Sequence, residues 1–374
     1  MDALFYKNPD HGRAWSMLCE GPLELHFIGA SVTSQREGWA DRFACFARAQ
    51  SGHDHTLVKS AMGGVGLLFG VANYGSPAPN GLRRLLFIEF STGDLNLGLT
   101  PLDRLASWLD HLVQRALADG AHVVIVHNWR SDFAVDDKPG IRSTYDTVAL
   151  KYALPVIENH RFADALLNIG EIARETLFRD VCHTQPEGAA RYAQHVLLCL
   201  QEMSLKCGQP PRELPLVTHR APLGPISFFD LPTGTLSPDC GREATYTYPT
   251  TLQSFRVLEV PCSHTMAMIV SGSLLGISFL SGPRTGWVDL SIDFKQVRRF
   301  RCFDRNSFYE RYILLPAVFE LSNSELHLSC APIDVQFSLA AKPHPDFALP
   351  RLMKIVQLAG IDLAIRSCSV RLST

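Results

Sequence analysis

Short apolar runs alternate with stretches of helical period through roughly the first 200 residues, an order that predicts a parallel α/β sheet. Leu23–Ile28 reads as the first strand. Ser34 with Glu37 has the spacing of a capping box, and Trp39, Phe43 and Phe46 then share one helical face. His55–Ala61 predicts a second strand, and Arg84–Phe90 a third that is apolar enough to be covered on both faces. "AHVVIVHNW" predicts a fourth and "LPVIEN" a short fifth. A helix from Thr100 to Gly120 is signalled at both ends, with Pro101 in its first turn. Ala163–Phe178 predicts another. The last helix of this half starts at Pro186, behind a Thr184–Glu187 capping box.

The pattern changes after Cys207. Pro and Gly crowd the chain as far as Gly241, which predicts a linker or wrapping segment. Short strand-like runs follow at Ser254–Val260, Thr265–Val270, Leu274–Leu280, Trp287–Ile292, Arg311–Leu315, Glu325–Cys330 and Val335–Leu339. They suggest an antiparallel β-sandwich. Leu349–Leu363 is weakly helical in pattern. The resulting division is an N-terminal extension (1–20), an α/β domain (21–206), a linking segment (207–241), a β-sandwich-like domain (242–345) and a C-terminal helix or tail (346–374).

Composition narrows the classes. The 374 residues suit two domains, and 46% hydrophobic with 19% charged residues permits a sizeable core. A net charge of −2 gives no reason to expect nucleic-acid binding. The apolar run Met266–Leu280 is broken by Ser271, Gly272 and Ser273, so no membrane span is expected. The start shows no basic-then-apolar leader. Ten scattered cysteines form no CxxC pair, so the expectation is reduced thiols, a cytoplasmic location and no metal.

Chemistry concentrates where predicted strands end. Ser31 follows the first strand, at the edge where α/β proteins open their crevice, and it begins the segment that becomes a helix. It is either a turn residue or a nucleophile. Asp180 and His183, three residues apart before a capped helix, have the spacing for a carboxylate to orient an imidazole, or else form a surface pair. Gly63, Gly64 and Gly66 follow the second strand, and the polar turn Ser91–Asn96 follows the third.

In this order, "IGAS", "AMGG", "EFSTGD" and "DVCH" resemble the conserved blocks of the SGNH/GDSL hydrolase superfamily, over roughly half the chain. "YALPVIE" is similar to the segment before the last block. The resemblance implies a flavodoxin-like sheet and a cofactor-free serine esterase or acyltransferase. Ser31 would be the nucleophile, His183 the base and Asp180 its orienting partner. The backbone N–H groups of Ser31 and Gly63, with Gly64 as alternative, would form the oxyanion hole. The family's third block supplies an Asn side chain to that hole, and Gly93 stands in its place here. Losing one such donor typically costs about a hundred- to a thousand-fold in rate. Either the Gly93 N–H substitutes, or Asn96 or Asn128 reaches in, or the protein is slow or inactive. Asp94, His127 and Arg130 are further candidates for substrate or oxyanion contact.

In the second half, Arg284, Trp287, Asp304, Arg311 and Tyr312 are either a sugar-binding face or, as the residue types favour, strand-tying pairs around a core Trp. The expected substrate is an acyl ester, an O-acetyl group on a carbohydrate first of all. Transfer to a sugar hydroxyl, or glycan or partner binding without turnover, are the alternatives.

Overall fold

The computed structural model describes residues 5–7, 13–75, 78, 81–97, 100–132, 140–170, 172–205, 226–231, 242–247, 254–282, 285–302, 310–331 and 352–372. Arg284, Asp304 and the Val335–Leu339 run lie outside them. The chain divides into two compact units, Met1–Pro222 and Leu223–Thr374.

The first unit is built on a six-stranded sheet. Its strands are β1 (Tyr6–Lys7), β2 (Leu23–Gly29), β3 (Thr56–Ala61), β4 (Arg83–Glu89), β5 (His122–Val126) and β6 (Val156–Ile157), in the order β1-β6-β5-β4-β2-β3. All pairs are parallel except β1 on β6. Every residue of β2 is buried, including Glu24, which accepts from Arg84 of β4 at 2.5 Å, and His26, which bonds Ser60 at 2.9 Å. Phe27 stacks on Phe87 of the neighbouring strand at 4.6 Å. Trp39 and Phe43 of helix α3 (Trp39–Ser51) pack edge-on against both rings. Strand order reverses between β2 and β4, so the crevice of this doubly wound sheet opens at their carboxyl ends.

Helix starts differ from the sequence pattern in two instructive places. A four-residue helix α2 (Ser31–Ser34) precedes α3, so the cap moves from Ser34 to Gly38, whose N–H donates to Asp41 Oδ2 at 3.1 Å. Thr184 does not cap α10 (Pro186–Leu205), because its hydroxyl donates to Gln35 Oε1 at 3.2 Å. The predicted Ala163–Phe178 helix is two: α8 (Asn159–Asn168) and α9 (Arg174–Leu177), parted at Gly170, φ 69°. The other helices are α1 (Arg13–Glu20), α4 (Leu67–Asn73), α5 (Ser91–Leu97), α6 (Leu102–Ala118) and α7 (Ile141–Lys151).

The second unit is antiparallel, as expected of a β-sandwich-like domain, and among the described residues its eight strands join in one hydrogen-bonded sheet. Its strands are β7 (Ile226–Asp230), β8 (Arg242–Thr247), β9 (Ser254–Pro261), β10 (His264–Ser281), β11 (Trp287–Ile292), β12 (Lys295–Arg301), β13 (Arg311–Ala331) and β14 (Leu352–Leu372). Two expected pairs of short strands are single long ones, β10 and β13; register shifts at Val270/Gly272 and Leu274/Gly276 let them bend without breaking. The predicted C-terminal helix is strand β14, where the alternating apolar set of Met353, Ile355 and Leu363 is buried. The sheet curls over its own apolar face: Phe255 of β9 lies 5.0 Å from Tyr312 of β13, three strands away. Tyr312 is fully buried, which places it in the core. The expectation of reduced thiols fails for one pair. Cys262, in the β9–β10 turn, forms a disulfide with Cys330 at the end of β13.

Candidate active site

β2 ends at Gly29, and the chain turns at Ala30 so that Ser31 opens α2, half-buried. The turn is pressed against β4: the Ala30 N–H donates to the Glu89 carbonyl at 3.0 Å. A Cβ at position 29 would lie 2.6 Å from Thr33 Oγ1 and 2.7 Å from the Glu89 carbonyl oxygen, so only glycine fits.

The second piece is the loop before α10. His183 Nδ1 donates to the Asp180 carboxylate, at 2.8 Å to Oδ2 and 3.0 Å to Oδ1. The same carboxylate accepts the Cys182 and His183 backbone N–H groups at 3.0 and 2.9 Å. Burial pushes the Asp180 carboxyl up, but the bond from His183 and the two backbone donors outweigh it. They hold the group well below the usual carboxylate range. Nδ1 occupied in this way leaves Nε2 of the ring as the acceptor.

Gln35 joins the two pieces. Its Oε1 accepts from the Thr184 N–H at 3.1 Å, and its Nε2 donates to the Thr184 carbonyl at 3.0 Å. The residue after His183 is thereby clasped by a residue four beyond Ser31. Residue types at these positions gave no sign of this, since both side chains sit in irregular segments.

The glycine turns line up along the same strand ends. Gly63 and Gly64 follow β3, with Gly64 at φ 79° and both half-buried. Gly93 lies in the first turn of α5, after β4, and is half-buried. A Cβ there would come within 2.1 Å of the Val65 carbonyl oxygen and 2.8 Å of Ala30 Cβ. Position 93 therefore has no space for any side chain.

Asp94, His127, Asn128 and Arg130 are buried and bonded within this unit. Asp94 is 3% exposed; it accepts from the Leu67 N–H at 3.0 Å and from Tyr145 Oη at 2.7 Å, which ties α5 to α4 and α7. Burial pushes its carboxyl up to about 7 against those two bonds. His127 and Asn128 are both 0% exposed, so neither lines the rim. His127 bonds Ser91 and Asp146, and the Asn128 side-chain Oδ1 accepts from Asn159 Nδ2 at 2.9 Å. Arg130 is clasped by Asp132 at 2.7 and 2.6 Å and donates to the Thr92 carbonyl at 3.0 Å. The Asn96 side chain lies outside the described residues.

Asp180, Cys182 and His183 offer donor atoms within 4.8 Å of one another, the set a metal would use. The carboxylate oxygens are already engaged within the loop, and the Arg130 cation bears on both Asp180 and Cys182. Burial pushes the Cys182 thiol up to about 12, so it is no rival nucleophile.

No family model matches this sequence, and no curated protein matches it. Among solved structures, a two-domain esterase active on acetylated mannans matches with a TM-score of 0.68 at 14% identity, over 93% of this chain and 94% of that one. A two-domain esterase active on acetylated mannans and co-crystallized with mannopentaose matches with a TM-score of 0.65 at 14% identity, over 93% of each chain. The chain thus shares the fold of these two-domain esterases, an α/β domain followed by an antiparallel β-sheet domain.

Proposed function

We propose that this chain is a serine esterase that removes an acyl group, O-acetyl first of all, from a carbohydrate. Ser31 attacks the ester carbonyl while His183 takes its proton. His183 then gives that proton to the departing sugar oxygen as the C–O bond breaks. Water, deprotonated by His183, then attacks the acyl carbonyl. The bond to Ser31 Oγ breaks, His183 returns the proton to that oxygen, and the acyl group leaves as the acid, which ionises to carboxylate. Asp180 holds the ring and balances its charge. The N–H groups of Ser31, Gly63 or Gly64, and Gly93 steady the oxyanion.

The observation that supports this reading is the Gln35–Thr184 clasp, which ties the residue after His183 to a residue four beyond Ser31. A carbohydrate substrate is supported by the likeness, across both units, to an esterase active on acetylated mannans. The Cys262–Cys330 bond supports maturation in an oxidising compartment over the cytoplasm.

The test is acetate release from p-nitrophenyl acetate and from O-acetylated mannan. Ser31→Ala is expected to lose activity by about a thousand-fold or more on both. A fluorophosphonate probe should label the wild type at Ser31. Turnover of Ser31→Ala at the wild-type rate would remove the nucleophile. One observation favours a second reading: with no side-chain donor possible at Gly93, the crevice suits a glycan-binding protein without turnover. Folded wild type that binds acetylated mannan but takes no label would establish that reading.

A further inference from the structure

Glu89 ends β4 in register with Gly29 and is 1% exposed. One of its carboxylate oxygens accepts from Thr33 Oγ1 at 2.8 Å, the other from Thr92 Oγ1 at 2.6 Å. Thr33 lies two residues after Ser31, in α2. Thr92 immediately precedes Gly93, in α5. The far side of each threonine is also held. Thr33 Oγ1 accepts from Trp39 Nε1 at 3.3 Å, and the Thr92 carbonyl accepts from Arg130 at 3.0 Å. One buried carboxylate thus spans the two turns that carry the Ser31 and Gly93 backbone N–H groups.

Folding alone does not call for an acid here. Burying a carboxylate is costly even when its lone pairs are filled, and an apolar residue of similar volume often serves stability as well. The hole, in contrast, depends on this span. Position 93 admits no side chain, so its donors are backbone groups, and these are only as well aimed as the turns that hold them.

We propose that Glu89 is a positioning residue of the esterase site: its carboxylate braces the Ser31 turn against the Gly93 turn and so fixes a backbone-built oxyanion hole. This rests on the esterase reading and deepens it. Both threonine hydroxyls donate, so the ionised carboxylate is the form that makes both struts. A proton on either oxygen takes that oxygen from its threonine. Burial pushes Glu89 up to about 7, against the bonds from Thr92 and Thr33. The titratable groups around it are Asp94 of α5, Tyr145 of α7, Tyr192 of α10 and Cys182 in the triad loop, with the Arg130 cation across Thr92. A group raised in this way is ionised above about 7, so the brace is complete on the alkaline side and lost as pH falls.

The test is steady-state kinetics of the full chain on p-nitrophenyl acetate between about pH 5.5 and 9, with thermal midpoints recorded. Glu89→Gln is expected to lower kcat about 10- to 100-fold with KM nearly unchanged, because an oxyanion hole acts in the transition state. On the acid side, log kcat of the wild type should fall more steeply than that of Glu89→Gln, by about one in slope, because Glu89 is the group removed. Thr33→Val and Thr92→Val should each lower kcat several-fold, and by less when Glu89→Gln is already present. Wild-type kcat in Glu89→Gln, or an unchanged acid slope with only the midpoint lowered, overturns the brace. If Glu89→Gln does not fold, wild-type kcat in both valine variants overturns it. A wild type that hydrolyses no ester overturns the esterase reading and the brace with it, whereas an active wild type indifferent to Glu89→Gln removes the brace alone.

Discussion

At the scale of single residues, Gly93 is where sequence and structure meet most usefully. The sequence has Gly93 where the resemblance calls for an Asn. It does not show why, because the obstacle is the Val65 carbonyl, brought in by a separate loop 2.1 Å from where a Cβ would stand. Placing an Asn at position 93 should therefore harm the protein. Gly93→Asn is expected to cost about 1–3 kcal/mol of stability through overpacking and to lower kcat. Urea midpoints and p-nitrophenyl acetate turnover check both. Gly93→Asn with faster turnover at wild-type stability would show that the hole has room after all. Burial likewise separates residues that looked alike in the sequence. His127 and Asn128 follow the fourth strand as rim residues would, yet both are 0% exposed and serve the network under α5 and α8.

At the scale of elements, the central strands were legible because a strand covered on both faces is mostly apolar, although β2 and β4 also bury Glu24, His26, Arg84 and Glu89; both strands differ from their expected ends by a residue each. Helix starts were less so. Ser34 and Thr184 look like caps, but the α2 turn and the Gln35 clasp use those segments for tertiary contacts that local propensity cannot foresee. The long strands of the second unit were missed for a related reason. Polar breaks such as Ser271–Ser273 read as turns, whereas bulges carry β10 straight through them. The clasp makes its own prediction. Gln35→Ala should cost about 1–2 kcal/mol of stability, since it leaves the Thr184 groups unpaired. It should lower kcat about ten-fold, because the His183 loop is then held less firmly. Thermal midpoint and kcat are the readouts, and wild-type kcat in this variant would show that the loop is positioned by other contacts.

At the scale of the whole molecule, two units of different architecture follow one another, and only the second has a covalent tie among the described residues. Cysteine spacing could not reveal it, because 68 residues separate Cys262 from Cys330. Closing so long a loop is worth about 2–4 kcal/mol. Reduction by dithiothreitol should therefore lower the hydrogen-exchange protection of β10, β11 and β13 and leave that of β2 and β4 unchanged. Equal protection in the oxidised and reduced protein would remove the disulfide from the stability of this unit.

The short β1 strand has a consequence for the molecule in company. Tyr6–Lys7 pairs with Val156–Ile157, while Lys7 meets Asp146 at 2.8 Å and also engages Glu158. The parallel strands thereby end on a two-residue antiparallel lip with a lysine at its edge. Among the described residues such a lip offers few open backbone groups to a neighbour, so edge-to-edge joining of sheets from two molecules is discouraged on that side.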